Sequence, residues 1–341
     1  MNTNTERVLV TGGTGFLAGW AIVALLQRGY QVRTTVRSTS REQVVREAVA
    51  TQIDPGDRLE FAIADLTSPD GWADAVAGCD YVLHVASPLG ADDPDDPDVL
   101  IVPAREGVLN VLRAASAAGV QRVVMTSAAN TASPAAYSEE GTFDETTWTV
   151  DDPSFPAYRR SKTIAEQAAW DFMADYNGPM TLTTVLPGAV FGPILSPAAL
   201  GPLNIIQRLV KGAMPGVPRI GFEVVDVRDE IELHILAMTA PEAAGQRFLG
   251  TGEFMWMKDM AIAVKNGLGE VGARVKTRQL PDVAVRLAAV TDAGIKQILP
   301  GLGRRTLHSN DKARRVLGWQ PRSGAETVVA SAQSLVHWGL A

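Results

Sequence analysis

Residues 8–20 read VLVTGGTGFLAGW: an apolar strand, a glycine-rich turn and an apolar helix, close to the start of the chain. Gly12 and Gly15 let the backbone turn tightly and approach a pyrophosphate, which then sits at the N-terminus of the helix. Thr14, Phe16 and Leu17 fall in the same stretch and are expected against the cofactor. Ala18 replaces the third glycine of this fingerprint, where only close helix–strand packing is at stake. A glycine cluster alone is weak, because turns use glycine everywhere. Set between a strand and a helix, it predicts a dinucleotide site on a parallel sheet.

Outward from that turn, apolar runs alternate with amphipathic helical stretches, the pattern of a parallel sheet wrapped by helices. Strands are expected over 8–10, 32–36, 59–64, 81–86, 122–126 and 181–186, and helices over 19–28, 41–51, 99–118 and 158–176. The segment ADDPDDPD, 91–98, is expected to be a solvated loop, since its prolines stop it closing round an ion. Beyond about residue 190 the rhythm loosens, and FGPILSPAALGP has the proline and glycine density of a pocket wall. A strand and helix return over 224–238. The predicted fold is α/β, a Rossmann-type doubly wound parallel sheet with a smaller C-terminal substrate-binding part. Residues 1–190, completed by about 223–240, form the dinucleotide-binding domain; 191–222 and 241–341 form the substrate-binding part.

Composition narrows the function. The 341 residues are 46% apolar and 20% charged, with a net charge of -7, values of an ordinary globular protein. The acidic balance argues against nucleic-acid or anionic-membrane partners, which need a basic face. No run approaches a bilayer span, and MNTNTER has no signal-peptide character. A single cysteine, Cys79, cannot form an internal disulfide, which fits a reducing cytoplasm. Four scattered histidines predict no metal site. The expected partner is a small molecule, and the expected assembly a monomer or homodimer.

The end of the second strand decides between cofactors. An acid some 20 residues after the glycines would hold a ribose 2′-hydroxyl. Here the strand reads VRTTVRS, with Arg33 and Arg37 and no carboxylate. Arg37, helped by Ser38 and Arg41, suits a 2′-phosphate through charge-assisted bonds, so NADPH is expected over NADH. Asp65 and Leu66 end the third strand, where a carboxylate can accept from an adenine amino group and Leu66 can pack on the ring. Asp65 equally suits a helix N-cap. Val85, Ala86 and Ser87 lie at the C-terminal end of the fourth strand, where ligands bind in such sheets. His84 precedes them and is expected in packing.

Downstream, 158–162 reads YRRSK. Tyr158 and Lys162, four apart on a helix, share one face. A free phenol titrates at about 10, and a nearby ammonium favours the phenolate. That pairing supplies the proton donor a carbonyl reductase needs opposite a hydride donor.

With TGGTGFLA, VRTTVRS, HVASP, PAREGVLNVLRAA, VVMTS, YRRSKTIAEQAAW, LPGAVFGP, VVDVRD and LGWQPR, the chain resembles the extended short-chain dehydrogenase/reductases nearly end to end. Within them it is similar to the dihydroflavonol-reductase-like branch, with its plant flavonoid reductases and microbial aldehyde and ketone reductases. The resemblance implies that Tyr158 donates the proton and that Lys162 bonds the nicotinamide ribose while lowering the tyrosine pKa. It implies that Arg37 meets the 2′-phosphate, that Thr126 joins the cofactor site, and that Pro187 and Val190 line the nicotinamide. Phe155, Phe191, Met214 and Phe222 are candidate pocket walls, with core packing an equal alternative.

One departure stands out. The family's strand before the active-site helix usually ends in a Thr-Ser-Ser run whose last serine polarises the substrate carbonyl. This chain reads TSAAN from Thr126 to Asn130, and Ala128 takes that serine's place. Ser127 is the favoured substitute, because a rigid strand end holds a side chain more firmly than a loop does. Alternation points it away, but a bend or bulge can re-aim it; Asn130 and Thr131 are the other nearby donors.

Overall fold

The computed structural model describes residues 5–88, 94–134, 140–290 and 299–341. Residues 91–93 of the acidic segment lie outside the described residues. Seven parallel strands build the main sheet: β1 (Arg7–Val10), β2 (Gln31–Val36), β3 (Leu59–Ile63), β4 (Tyr81–His84), β5 (Arg122–Thr126), β7 (Thr181–Pro187) and β10 (Arg247–Gly250). Their spatial order is β10-β7-β5-β4-β1-β2-β3. This is the doubly wound arrangement, and the order reverses between β1 and β4, which opens a crevice at the C-terminal strand ends. β6 (Gly141–Phe143) pairs with β12 (Thr306–His308), and β9 (Gly221–Asp226) joins β8 (Ala189–Phe191) and β11 (Glu253–Trp256) in a separate three-stranded sheet.

Burial on both faces explains the apolar strands. In β1, Val8 and Val10 face one core cluster while Leu9 faces the other; β5 splits likewise, with Val124 on one side and Val123 and Met125 on the other. The first cluster is covered by α1 (Phe16–Gln27), α2 (Glu42–Ala50) and α7 (Val227–Thr239), and it runs on into α6 (Asn204–Val210), α8 (Met257–Gly267) and α11 (Gly324–His337). The second is covered by α3 (Trp72–Val76), α4 (Asp98–Ala118) and α5 (Ala157–Asp175). α9 (Asp282–Ala288) and α10 (Asp311–Leu317) lie in the C-terminal part. Among the described residues, no helix is long and apolar enough to cross a membrane.

The boundary between the two parts differs from the sequence division. The sequence division gives 241–341 to the substrate part and about 223–240 to the nucleotide domain. α7 does cover the main sheet, but β10 completes that sheet beside β7, and β9 pairs with β8 and β11 outside it. Four residues of RFLG, uniformly buried, carry no period-two alternation, so the edge strand gave no signal of its sheet.

Behind the sheet, α7 places Glu230 and His234, and β4 places His84, in the buried interior. Glu230 is fully buried and neither carboxylate oxygen has a hydrogen-bond partner. Burial, with the nearby Asp229 charge, holds its pKa well above the ordinary carboxylate value. His234 is pushed down to about 4 by burial, and His84 to about 3 by burial and the Lys162 charge. The signs oppose. The two depressed histidines cost stability as pH falls below about 6.5, because the unfolded chain then binds the extra protons. A raised carboxyl makes stability fall as pH rises above about 4.3, where only the unfolded chain ionises. As pH rises from about 6.5 to 8 the histidine contribution fades, and Glu230 adds its own downward slope, at most about 1.4 kcal/mol per pH unit. Urea midpoints over that window should decline less steeply for Glu230→Gln than for the wild type. Parallel curves would show that Glu230 does not carry the effect.

Candidate active site

The turn after β1 is shaped by glycines and by threonines from neighbouring strands. Gly12 adopts φ +73°, and a Cβ there would lie 2.9 Å from the Ala86 Cβ, so a side chain is excluded on both counts. The Gly12 N–H donates to Thr35 Oγ1 at 2.8 Å, and the Ala86 N–H donates to Thr11 Oγ1 at 2.9 Å. Those bonds tie the ends of β1, β2 and β4 around one cradle. Gly13, a position with no signal of its own in the sequence, leaves room for Thr34, whose Oγ1 would stand 2.6 Å from an added Cβ. Gly15 begins α1, which has no side-chain cap and no acid in its first turn. Its free N–H groups and positive dipole end therefore fit a pyrophosphate. Thr14 and Gly15 are exposed and Leu17 half-buried, while Phe16 turns into the core.

Arg33 in β2 and Arg37 just past its end have different fates. Arg33 bonds Glu60 and the backbone oxygens of Asp74, Ala75 and Ala77, so it is a structural clasp. Arg37 is exposed and its guanidinium makes no hydrogen bond among the described residues; its charge helps lower the Asp65 pKa. Asp65 itself caps locally: its Oδ1 accepts from the Thr67 N–H and hydroxyl, and these bonds are the main cause of that lowering. Leu66 packs over Gly107 of α4, where an added Cβ would meet its Cδ2 at 2.8 Å. Leu66 is only half-buried, so surface remains beside that contact. Val85, Ala86 and Ser87 are half-buried at the crevice, whereas Pro187 and Val190 are buried at the end of β7 and in β8.

Tyr158 sits in the first turn of α5 with 39% of its surface open. Surrounding protein pushes its phenol above the ordinary value, and the open surface lets water temper that shift. The expected lowering by Lys162 is absent from this arrangement. Lys162 is buried, its Nζ donates to Thr126 O at 3.3 Å, and burial lowers its pKa to about 8 against the raising effect of Glu166. One helix face is shared, but the ammonium is drawn to the strand end. Thr126 is held in turn by a 2.8 Å bond between its Oγ1 and His234 Nε2.

Ser127 does not face Tyr158. Its hydroxyl donates to Glu166 Oε2 at 2.6 Å, because strand alternation sends it away from the direction of Ala128. The strand end neither bends nor bulges enough to re-aim it. Glu166 is fully buried and also accepts from Thr131, Thr184 and Arg247. Burial raises its pKa, yet Arg247 and these hydroxyls outweigh burial and leave it below the ordinary value. Arg247 continues to the Glu145 and Thr147 backbone oxygens and stacks 3.7 Å from the Trp148 ring centroid. Glu166 was missed, although Tyr158, Lys162 and Glu166 form a visible i, i+4, i+8 stripe in the sequence. Of the candidate pocket walls, Phe191 is fully buried edge-on to Phe222, and Phe155 is buried against Arg159.

A hollow of about 560 Å³ bounded by Glu145, Arg247, Lys312 and Arg315 lies by the N-terminal end of β10, away from the crevice at the C-terminal strand ends.

Comparison with known proteins places the chain in a family. A model of the NAD dependent epimerase/dehydratase family matches residues 8–249. The chain belongs to that family, among the extended short-chain dehydrogenase/reductases. Its relatives include a ketoreductase, azaE, of Aspergillus niger, 33% identical over 303 residues that cover 83% of this chain and 88% of the relative. Cinnamoyl-CoA reductase CAD2 of Medicago truncatula is 36% identical over 251 residues, 71% of this chain and 75% of the relative. The fold matches yeast methylglyoxal/isovaleraldehyde reductase Gre2, solved in complex with NADPH, with a TM-score of 0.81 and 24% identity over 98% of this chain and 100% of that one.

Proposed function

We propose that the protein is an NADPH-dependent reductase of a small aldehyde or ketone, working reversibly toward the alcohol. The observation that carries this is Tyr158, exposed at the head of α5, with Lys162 one turn behind it reaching the Thr126 carbonyl at the end of β5. A phenol held above its ordinary value is protonated at neutral pH, the form that donates to a carbonyl oxygen. The cofactor, when bound, supplies the hydride. Gly12, Gly15 and the α1 N-terminus receive its pyrophosphate, Val85 to Ser87, Pro187 and Val190 border the nicotinamide end, and Lys162 holds the ribose. The relatives named as reductases support the reaction class, and the NADPH held by the yeast reductase supports the cofactor. A panel of aldehydes and ketones, followed by the loss of NADPH absorbance, tests the reading; no consumption across the panel would refute it.

The cofactor preference rests on Arg37, whose guanidinium has no hydrogen-bond partner among the described residues, and on a β2 end without an acid. Removing a charge-assisted phosphate pair costs on the order of 2 kcal/mol. Arg37→Ala should therefore weaken NADPH binding roughly thirtyfold and leave NADH binding nearly unchanged. Fluorescence titration of both cofactors gives the answer, and equal wild-type affinities would overturn the preference.

A further inference from the structure

We infer that the side-chain amide of Asn130 takes the place of the hydroxyl missing at Ala128 and donates to the substrate carbonyl oxygen; this rests on the reductase reading. The polar side chains at the end of β5 are otherwise engaged. Thr126 is bonded to His234. Ser127 and Thr131 both donate to Glu166. Ser133 donates to the Ala129 carbonyl or pairs with His308 Nε2 at 2.8 Å, and that imidazole is itself held by Glu223. Asn130 differs from all four. It is half-buried, its Oδ1 is buried without any partner, and its amide makes no hydrogen bond among the described residues.

The local geometry separates Asn130 from its neighbours. Ala129–Ala132 is a 3-10 turn, with three residues to each revolution and hence three faces. Ala129 and Ala132 share the face that packs on Leu186 and Leu249. Thr131 occupies the face turned to Glu166 of α5. Asn130 has the third face to itself. The turn follows directly on Ala128 at the C-terminal end of β5, the side of the sheet where ligands bind, and it packs against the helix that begins beside Tyr158. It is anchored from behind, since the Thr149 hydroxyl donates to the Asn130 carbonyl at 2.7 Å. A fixed backbone with an uncommitted amide is what a preorganised donor requires. An amide carries two N–H donors at the end opposite its oxygen, so with Oδ1 as the buried atom those donors lie at the other end, uncommitted.

Kinetics on a carbonyl that the wild type reduces test the assignment. Loss of one donor of this kind typically lowers turnover by about 10²- to 10³-fold. Asn130→Ala and Asn130→Asp, which keeps the shape but replaces the donor with an acceptor, should each lose about a hundredfold in kcat. Their NADPH affinities should match the wild type. Adding Ala128→Ser to Asn130→Ala should restore at least about tenfold, because a hydroxyl returns at the strand end. Asn130→Asp within about threefold of wild-type turnover, or no rescue by the serine, would overturn the assignment. Wild-type turnover is the reference throughout. A failure here leaves wild-type reduction intact, whereas a failure of the reductase reading removes it.

Discussion

Tyr158→Phe should lower carbonyl reduction by about a thousandfold while NADPH affinity stays within about twofold of the wild type. The size follows from what is removed: a positioned general acid contributes typically about 10²- to 10⁴-fold. The selectivity follows from its surroundings. The Tyr158 hydroxyl makes no hydrogen bond among the described residues, and 39% of the residue's surface is exposed. Its loss therefore strands no buried partner and counts as a near-surface change, worth within about 0.5 kcal/mol for folding and binding. Lys162→Ala provides the contrast. That ammonium is buried on the Thr126 carbonyl, so its removal should weaken cofactor binding as well as turnover. Steady-state kinetics beside cofactor titrations would separate the two. A phenylalanine variant with near-normal turnover would show that another group carries the proton.

The second large effect concerns stability. Arg247→Met should destabilise the fold by about 3–5 kcal/mol, because it leaves the Glu166 carboxylate buried without its cation. Glu166 is fully buried and Arg247 Nε lies 2.9 Å from its Oε1. The pair joins α5 to β10 and, through Ser127, Thr131 and Thr184, to β5 and β7. The stack of Arg247 on Trp148 is lost in the same change. Replacing both partners, Glu166→Leu with Arg247→Met, should recover much of the loss, since apolar replacements of a buried pair are often neutral. Urea denaturation at neutral pH measures both. A single-variant loss below about 1 kcal/mol would mean that the carboxyl stays neutral and unpaired without penalty.

The parts of this molecule legible in the sequence are those fixed by local chemistry. The glycine turn, the apolar strands and the YRRSK helix each depend on neighbours within a few residues, and the sheet order follows from doubly wound topology. β5 lies over Arg122–Thr126, the range read from the apolar run alone. What the sequence hid depends on contacts between distant segments. Nothing in the letters around Arg33 and Arg37 says that the first is occupied by Glu60 and three backbone oxygens while the second is not. Leu66 could not be known to lie on Gly107. Ser127 was a reasonable substitute for the absent serine until Glu166, 39 residues away, claimed its hydroxyl. The edge strand β10 escaped because uniform burial erases the alternation that marks a strand.

Tracing the hydride tests the central claim most directly. With NADPH deuterated on one face at nicotinamide C4 and a carbonyl from the responsive set, mass spectrometry of the product should find a single deuterium on the carbinol carbon. The oppositely labelled cofactor should transfer none. Oxidised cofactor should accumulate in step with the alcohol. Product formed without label and without net cofactor oxidation would contradict the account, and would point to an enzyme that returns its hydride to the substrate, as an epimerase or dehydratase does.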